Sequence, residues 1–176
     1  MSTSEDLVIR HRQPTDLTAL GRVLVRVYEA DGYPVEGVAD PEAWLTPPRE
    51  IAAWTAAFGG HPIGHISLTE AGPEDDAACL WAARTKADYS EAAVPVRLFV
   101  DPARRALGAG NQLMLAAHQH ATSLGKRLVF DVMLKDQRAI RLYEALGCEL
   151  LGTITHHHSD GLTEPAAVYL APAYRA

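Results

Sequence analysis

The chain has 176 residues, 48% of them hydrophobic and 22% charged, which suits one ordinary domain with a sizeable core and lies far from the composition of disordered chains. Its formal net charge of -6 leaves no basic footprint for a nucleic-acid backbone or an anionic membrane, although a local basic patch around one anion survives such a balance. The opening MSTSEDLVIRHRQ has acidic residues where a secretory leader carries basic ones, and no run approaches the roughly 18 apolar residues of a membrane span, so a cytoplasmic location is expected.

In chain order, LVIRHR at 7–12 predicts a strand. Pro14, Thr15 and Asp16 supply turn and N-cap chemistry, and Leu17, Leu20, Leu24 and Val27 recur at helical spacing, predicting a first helix to about Glu29. Residues 31–48 are broken by Gly32, Pro34, Gly37, Pro41, Pro47 and Pro48, and read as a loop and candidate lid with at most a helical turn at EAWL. Gly59-Gly60 between the apolar runs 50–58 and 63–69 predicts a β-hairpin. A helix is expected around Ala78, Trp81 and Ala82. VRLFV at 96–100 reads as a strand stopped by Asp101-Pro102, and a long helix should follow Gly110 and end near Leu124-Gly125. A strand at 128–134, a helix from Arg138 to Leu146 closed by Gly147, and strands at 149–155 and 164–171 complete a mixed α/β order in a single domain over 1–176. Cys79 and Cys148 lie far apart without ligand spacing and read as small apolar residues rather than as a disulfide or zinc site.

The second half holds the most ordered pattern. VRLFVDPARRALGAGNQLM sets a strand before Arg105-Ala106-Leu107-Gly108-Ala109-Gly110 and then a helix. Glycines at a helix start let the backbone approach an anion, amides there lack intrahelical partners, and the helix dipole favours negative charge, so a phosphate is the natural guest. The dinucleotide fingerprint would need Gly at Leu113, and the Walker pattern would need Gly-Lys-Ser/Thr at Gly110-Asn111-Gln112; neither fits.

This run resembles motif A of the GNAT superfamily of acetyltransferases, Arg/Gln-x-x-Gly-x-Gly/Ala leading a helix. Asp136-Gln137-Arg138-Ala139-Ile140-Arg141-Leu142-Tyr143-Glu144-Ala145-Leu146-Gly147-Cys148 is similar to the family's Asn-x-x-Ala-x-x-Leu-Tyr-Glu-x-x-Gly-Phe helix. The resemblance covers residues 96–148. It implies a mixed central sheet of about six or seven strands flanked by helices, and acetyl-CoA as cosubstrate. Arg105, Ala106, Leu107, Gly108, Ala109, Gly110 and Asn111 would cradle the pyrophosphate. Leu98, Phe99 and Val100 would run beside the pantetheine arm in a splay between their strand and that at 128–134, and Asp136 and Ala139 match the motif's Asn and Ala. Asp136 departs from the commoner Asn but can still accept a hydrogen bond from a pantetheine amide.

Acetyl transfer to an amine needs a neutral amine, a polarised thioester carbonyl and a proton for the departing thiolate. The resemblance makes Tyr143 the proton donor; packing on its own helix is the alternative. Asp131, five positions before Asp136 and where relatives acting on protein amino termini carry Glu, is the candidate base, acting directly or through water, with His65 and Glu70 as further candidates. His156-His157-His158 reads as a polar hairpin end, since neighbouring strand residues point to opposite faces, and no metal is expected. Trp44, Trp54, Tyr28 and Tyr33 line either an acceptor cleft or the core. The expected partner is an amine of a small molecule or of a peptide or protein, with a homodimer left open. A non-catalytic acyl-CoA-binding domain is the alternative function.

Overall fold

The computed structural model describes residues 6–157 and 161–173. Among the described residues the order is β1 (Leu7–His11), α1 (Leu17–Asp31), α2 (Pro41–Trp44), β2 (Glu50–Phe58), β3 (His61–Glu70), α3 (Asp76–Thr85), β4 (Ala92–Val100), α4 (Ala109–Ser123), β5 (Arg127–Met133), α5 (Gln137–Ala145), β6 (Glu149–His157) and β7 (Thr163–Leu170). The strands form a seven-stranded mixed sheet in the order β1-β2-β3-β4-β5-β7-β6, with β4 and β5 parallel. By its contacts the chain divides into two compact units, Met1–Thr69 with Val96–Ala117 and Glu70–Pro95 with His118–Ala176. No helix among the described residues is long and apolar enough to cross a membrane.

In the first unit, Asp16 decides where α1 begins. Its carboxylate accepts from Arg10 at 2.6 and 2.8 Å, from the Gln13 amide at 2.8 Å and from Thr55 Oγ1 at 3.0 Å, which pins the short 3₁₀ turn Pro14–Asp16 ahead of the helix. Leu20, Val23, Leu24 and Val27 then form the buried stripe of α1, packed with Leu45 and Phe99. Each such side chain contributes roughly 1.5–3 kcal/mol by leaving water. Gly32, at φ 69°, ends the helix in the left-handed conformation that glycine adopts without steric cost. The β2–β3 hairpin turns at Gly59-Gly60, both at positive φ, and pairs Phe58 with His61.

In the second unit, β5 and β6 both pair antiparallel with β7, and α3 packs against all three. The residue pattern places the start of β4 at Val96, but the strand begins at Ala92 and runs through Pro95. Proline donates no ladder bond and is tolerated where none is required. The register of β4 with β5 is carried earlier, by Ala92↔Arg127 and Ala93↔Leu128. Asp136 caps α5 by accepting from the Ala139 amide at 3.1 Å.

Candidate active site

The glycine turn lies in the first unit. Where β4 stops, the Asp101 carboxylate accepts from the Ala103 amide at 3.1 Å and from Arg26 Nη2 at 2.6 Å, starting a 3₁₀ turn over Pro102–Leu107. Gly108, at φ 75°, ends that turn, and α4 begins at Ala109. The expected helix start after Gly110 is therefore corrected: Gly108 alone absorbs the left-handed step, and Gly110 already belongs to the first helical turn. Gln112 is the first residue of α4 whose amide bonds back, to the Gly108 carbonyl at 3.3 Å. Ahead of it, the amides of Ala109, Gly110 and Asn111 occupy positions where a helix offers no internal acceptor. Among the described residues a Cβ built on Gly108 would meet nothing within 4 Å, so the space beside the turn is open, and Ala106, Leu107 and Asn111 are exposed. This open, amide-lined turn fits a phosphate group. Arg105 directs its guanidinium to the Asp31 carboxylate, one of its two contacts being 3.3 Å.

Along β4, the Phe99 side chain is buried in the core while Leu98 and Val100 are half-buried. Arg97, just before them, holds φ at 59°, a conformation that residues with a side chain seldom adopt. A Cβ on Gly64 of β3 would stand 2.9 Å from the Phe99 carbonyl oxygen, so glycine is what allows β3 this close to β4.

Behind that strand lies a polar interior that the sequence did not reveal. Arg12 donates to both oxygens of Glu50, at 2.6 and 3.0 Å, and to the Leu45 carbonyl at 2.7 Å, while Ser67 Oγ donates to Glu50 at 2.7 Å. Arg12 Nη1 also stands 3.1 Å from His65 Nε2. A guanidinium only donates, so Nε2 is the acceptor and the ring proton sits on Nδ1, donating to the Arg97 carbonyl at 3.0 Å. Burial pushes the His65 ring down to about 4, with the Arg12 and Arg97 charges adding to it and the carbonyl bond opposing it. Of the three base candidates, His65 is thus a sequestered neutral residue holding the backbone of β4 at its strained position. Glu70 is exposed at the end of β3.

The third candidate, Asp131, lies in the second unit on β5. Its Oδ2 is 3.1 Å from His156 Nδ1 on β6, with both side chains partly exposed. His156 is therefore more than a hairpin end; nothing in the spacing of residues 131 and 156 announces the pair, because it depends on the register of β7 between them. His157 pairs with Thr163 across the hairpin, and His158 falls outside the described residues. Tyr143, on α5, is buried against Phe130 and Tyr169 at ring separations of 4.4 and 6.1 Å rather than on its helix neighbours alone. Of the aromatic residues, Trp54 is core, 5% exposed and tilted against His11 with ring centroids 5.3 Å apart. Tyr28 is exposed on α1, whereas Tyr33 and Trp44 meet edge to face at 5.7 Å.

Comparisons with known proteins agree with the mixed α/β fold and the glycine turn. The profile described as "Acetyltransferase (GNAT) family" matches residues 19–148, and the chain belongs to that family. The structure is similar to the ribosomal-protein-S18-alanine N-acetyltransferase from Escherichia coli, with a TM-score of 0.67 and 19% identity over 97% of this chain and 96% of that one. It is similar to yncA from Salmonella typhimurium, solved with acetyl-CoA, with a TM-score of 0.72 and 15% identity over 97% and 95% of the two chains. A ribosomal-protein-alanine N-acetyltransferase from Brucella melitensis matches with a TM-score of 0.71 and 18% identity over 93% and 98%. No curated protein sequence matches.

Proposed function

We propose that this chain transfers the acetyl group of acetyl-CoA directly to an amine in a ternary complex. The observation that carries the reading is the open turn from Gly108 into the first amides of α4, in a chain of the acetyltransferase family. Bound acetyl-CoA supplies an activated acetyl thioester. Ala106 to Asn111 hold its pyrophosphate through main-chain amides, and the Leu98–Val100 main chain lies along its pantetheine arm, with Asp136 and Ala139 at the motif positions of α5. Asp131 and His156 form the proton-accepting pair for the attacking amine, the carboxylate orienting the ring or taking the proton through it. Tyr143 gives a proton to the departing thiolate. Direct transfer is supported by the two cysteines: burial pushes the Cys148 thiol up to about 11, and burial with Asp76 and Asp75 raises that of Cys79, so neither is a ready nucleophile.

The test is thiol release from acetyl-CoA across a panel of amines and peptides, run beside calorimetry of acetyl-CoA binding. Parent protein should release thiol with at least one acceptor class. Gly108→Val forces a β-branched residue into a left-handed conformation and fills the open space, and should raise the acetyl-CoA dissociation constant about tenfold, roughly 1.4 kcal/mol. Unchanged affinity in a folded variant removes the turn from the site. Binding without any thiol release would favour a non-catalytic acyl-CoA-binding domain.

A further inference from the structure

The Arg97 guanidinium is an oddity within the first unit. It lies over the ring of Trp44 at 4.3 Å and its side chain is three-quarters withdrawn from solvent, at 25% exposure. Its Nη1 is buried and has no hydrogen-bond partner among the described residues. The nearest carboxylate oxygen, Glu36 Oε1, is 4.0 Å away, beyond hydrogen-bond reach, and already accepts from Trp44 Nε1 at 2.6 Å. Buried charged donors are normally satisfied, and each exception calls for a reason. Here two unfavourable features coincide at one residue, because Arg97 also holds its backbone at φ 59°. Strain of this kind persists where the surroundings over-determine it, and the His65 bond to the Arg97 carbonyl does that here.

We propose that Arg97 receives a carboxylate on the acceptor, so that the amines this chain acetylates are amino acids or close relatives carrying both groups. The inference rests on the acetyl-transfer reading for the word acceptor, though the recognition itself does not depend on turnover. Trp44 covers one face of the guanidinium plane, and the buried Nη1 keeps an unfilled donor with Glu36 Oε1 4.0 Å away, so a ligand carboxylate reaches it by moving Glu36 aside. A planar carboxylate meets such an edge with two parallel N–H···O bonds, and arginine stacked on an aromatic is held in the orientation that this requires. Tyr33 and Trp44 wall the position with rings, and Phe99 stands 6.2 Å from Trp44 beyond them. Burial lowers the guanidinium's proton affinity while Tyr33 and Glu36 oppose the shift, yet the group stays charged at any ordinary pH. Glu36 and Tyr33 come from the run between α1 and α2, and Glu36, half exposed, is the group a ligand carboxylate would displace. Arg97 also directly precedes the Leu98–Val100 run proposed for the cosubstrate.

The experiment pairs each L-α-amino acid with its carboxamide, measuring kcat/KM for acetyl transfer and, separately, calorimetric binding in the presence of CoA. In the parent protein at least one acid should bind and exceed its carboxamide by about a hundredfold or more, since a site built to bond a polar group rejects the analogue lacking it. Arg97→Gly should reduce that ratio to near one. This variant should fold at least as well, because glycine takes φ 59° without strain; Arg97→Lys, which keeps the charge and loses the fork, should retain only part of the ratio. Glu36→Gln should tighten binding of the acid severalfold by removing the competing anion. Equal use of acid and amide by the parent, an unchanged ratio in Arg97→Gly, or no binding of any acid overturns the proposal. Acetylation of amines without regard to the carboxylate would leave the transferase reading standing and this one refuted. Arg97-dependent acid binding without turnover would do the reverse.

Discussion

His65 in the first unit and His156 in the second both lie on strands and both engage a partner through Nδ1, yet they differ in everything that governs a proton. His65 is fully buried, faces an arginine with one nitrogen and a main-chain carbonyl with the other, and is held neutral with its ring at about 4. His156 is 38% exposed on its side chain and faces a carboxylate. A cationic neighbour and exclusion of water make the His65 imidazole a fixed neutral donor within the fold, whereas the His156 ring lies beside an anion and in contact with water. Residue type alone does not separate these two histidines; the sign of the partner and access to solvent do.

The comparison breaks most visibly in acid. The folded value of His65 lies below its ordinary 6.5, so the unfolded chain binds more protons between the two, and stability should rise with pH from about 4 to 6.5 and level off above. The depression corresponds to roughly 3 kcal/mol lost on going from neutral pH to below 4. Asp16, drawn down to about 2 chiefly by its bond to Arg10, adds a further loss only below the usual carboxylate range. Urea unfolding across this span checks it, and the slope should flatten in His65→Gln; an equally steep slope in that variant assigns the acid sensitivity elsewhere.

At His156 the expected signature is kinetic instead. Asp131→Asn keeps the shape of the residue but removes the anion, and should lower kcat about a hundredfold at neutral pH, at the low end of the span for general-base catalysis. The urea midpoint should move little, because both side chains are partly solvated. Parent-like rates would make the pair a surface contact.

Tyr143→Phe sharpens the same contrast between packing and chemistry. The ring contacts with Phe130 and Tyr169 remain, so the fold should hold, while turnover should fall at least tenfold with acetyl-CoA affinity changed much less, as expected for a bond made chiefly in the transition state. A variant turning over at the parent rate where chemistry limits would return Tyr143 to the core. The smallest effect is expected at the cap of the helix carrying it. Asp136→Ala should destabilise the protein by about 1 kcal/mol in chemical denaturation, and Asp136→Asn, which also caps, should restore it.

Much of this was legible in the residues because it is local. The α1 stripe, the Gly59-Gly60 hairpin, the glycine turn and the helix around Tyr143 each follow from periodicity, or from a left-handed step that glycine takes cheaply, within a few positions of the chain. Those patterns sufficed for the mixed α/β class and, with the two family motifs, for the acetyltransferase reading. They place the starts of β4 and α4 four and two residues late, since Pro95 and Gly110 look like punctuation and sit inside the elements.

What only the tertiary structure decided involves partners distant in sequence. Arg12 meets Glu50 and His65, Arg97 meets Trp44 and Glu36, and Asp131 meets His156. Each of these contacts has at least one member whose face is set by strand register, and a one-residue slip would send Glu50, His65, Arg97, Asp131 or His156 to the opposite face of its strand. Sequence can thus propose a carboxylate or a histidine for a task, but burial, partner charge and an unfilled hydrogen bond are properties of the assembled fold.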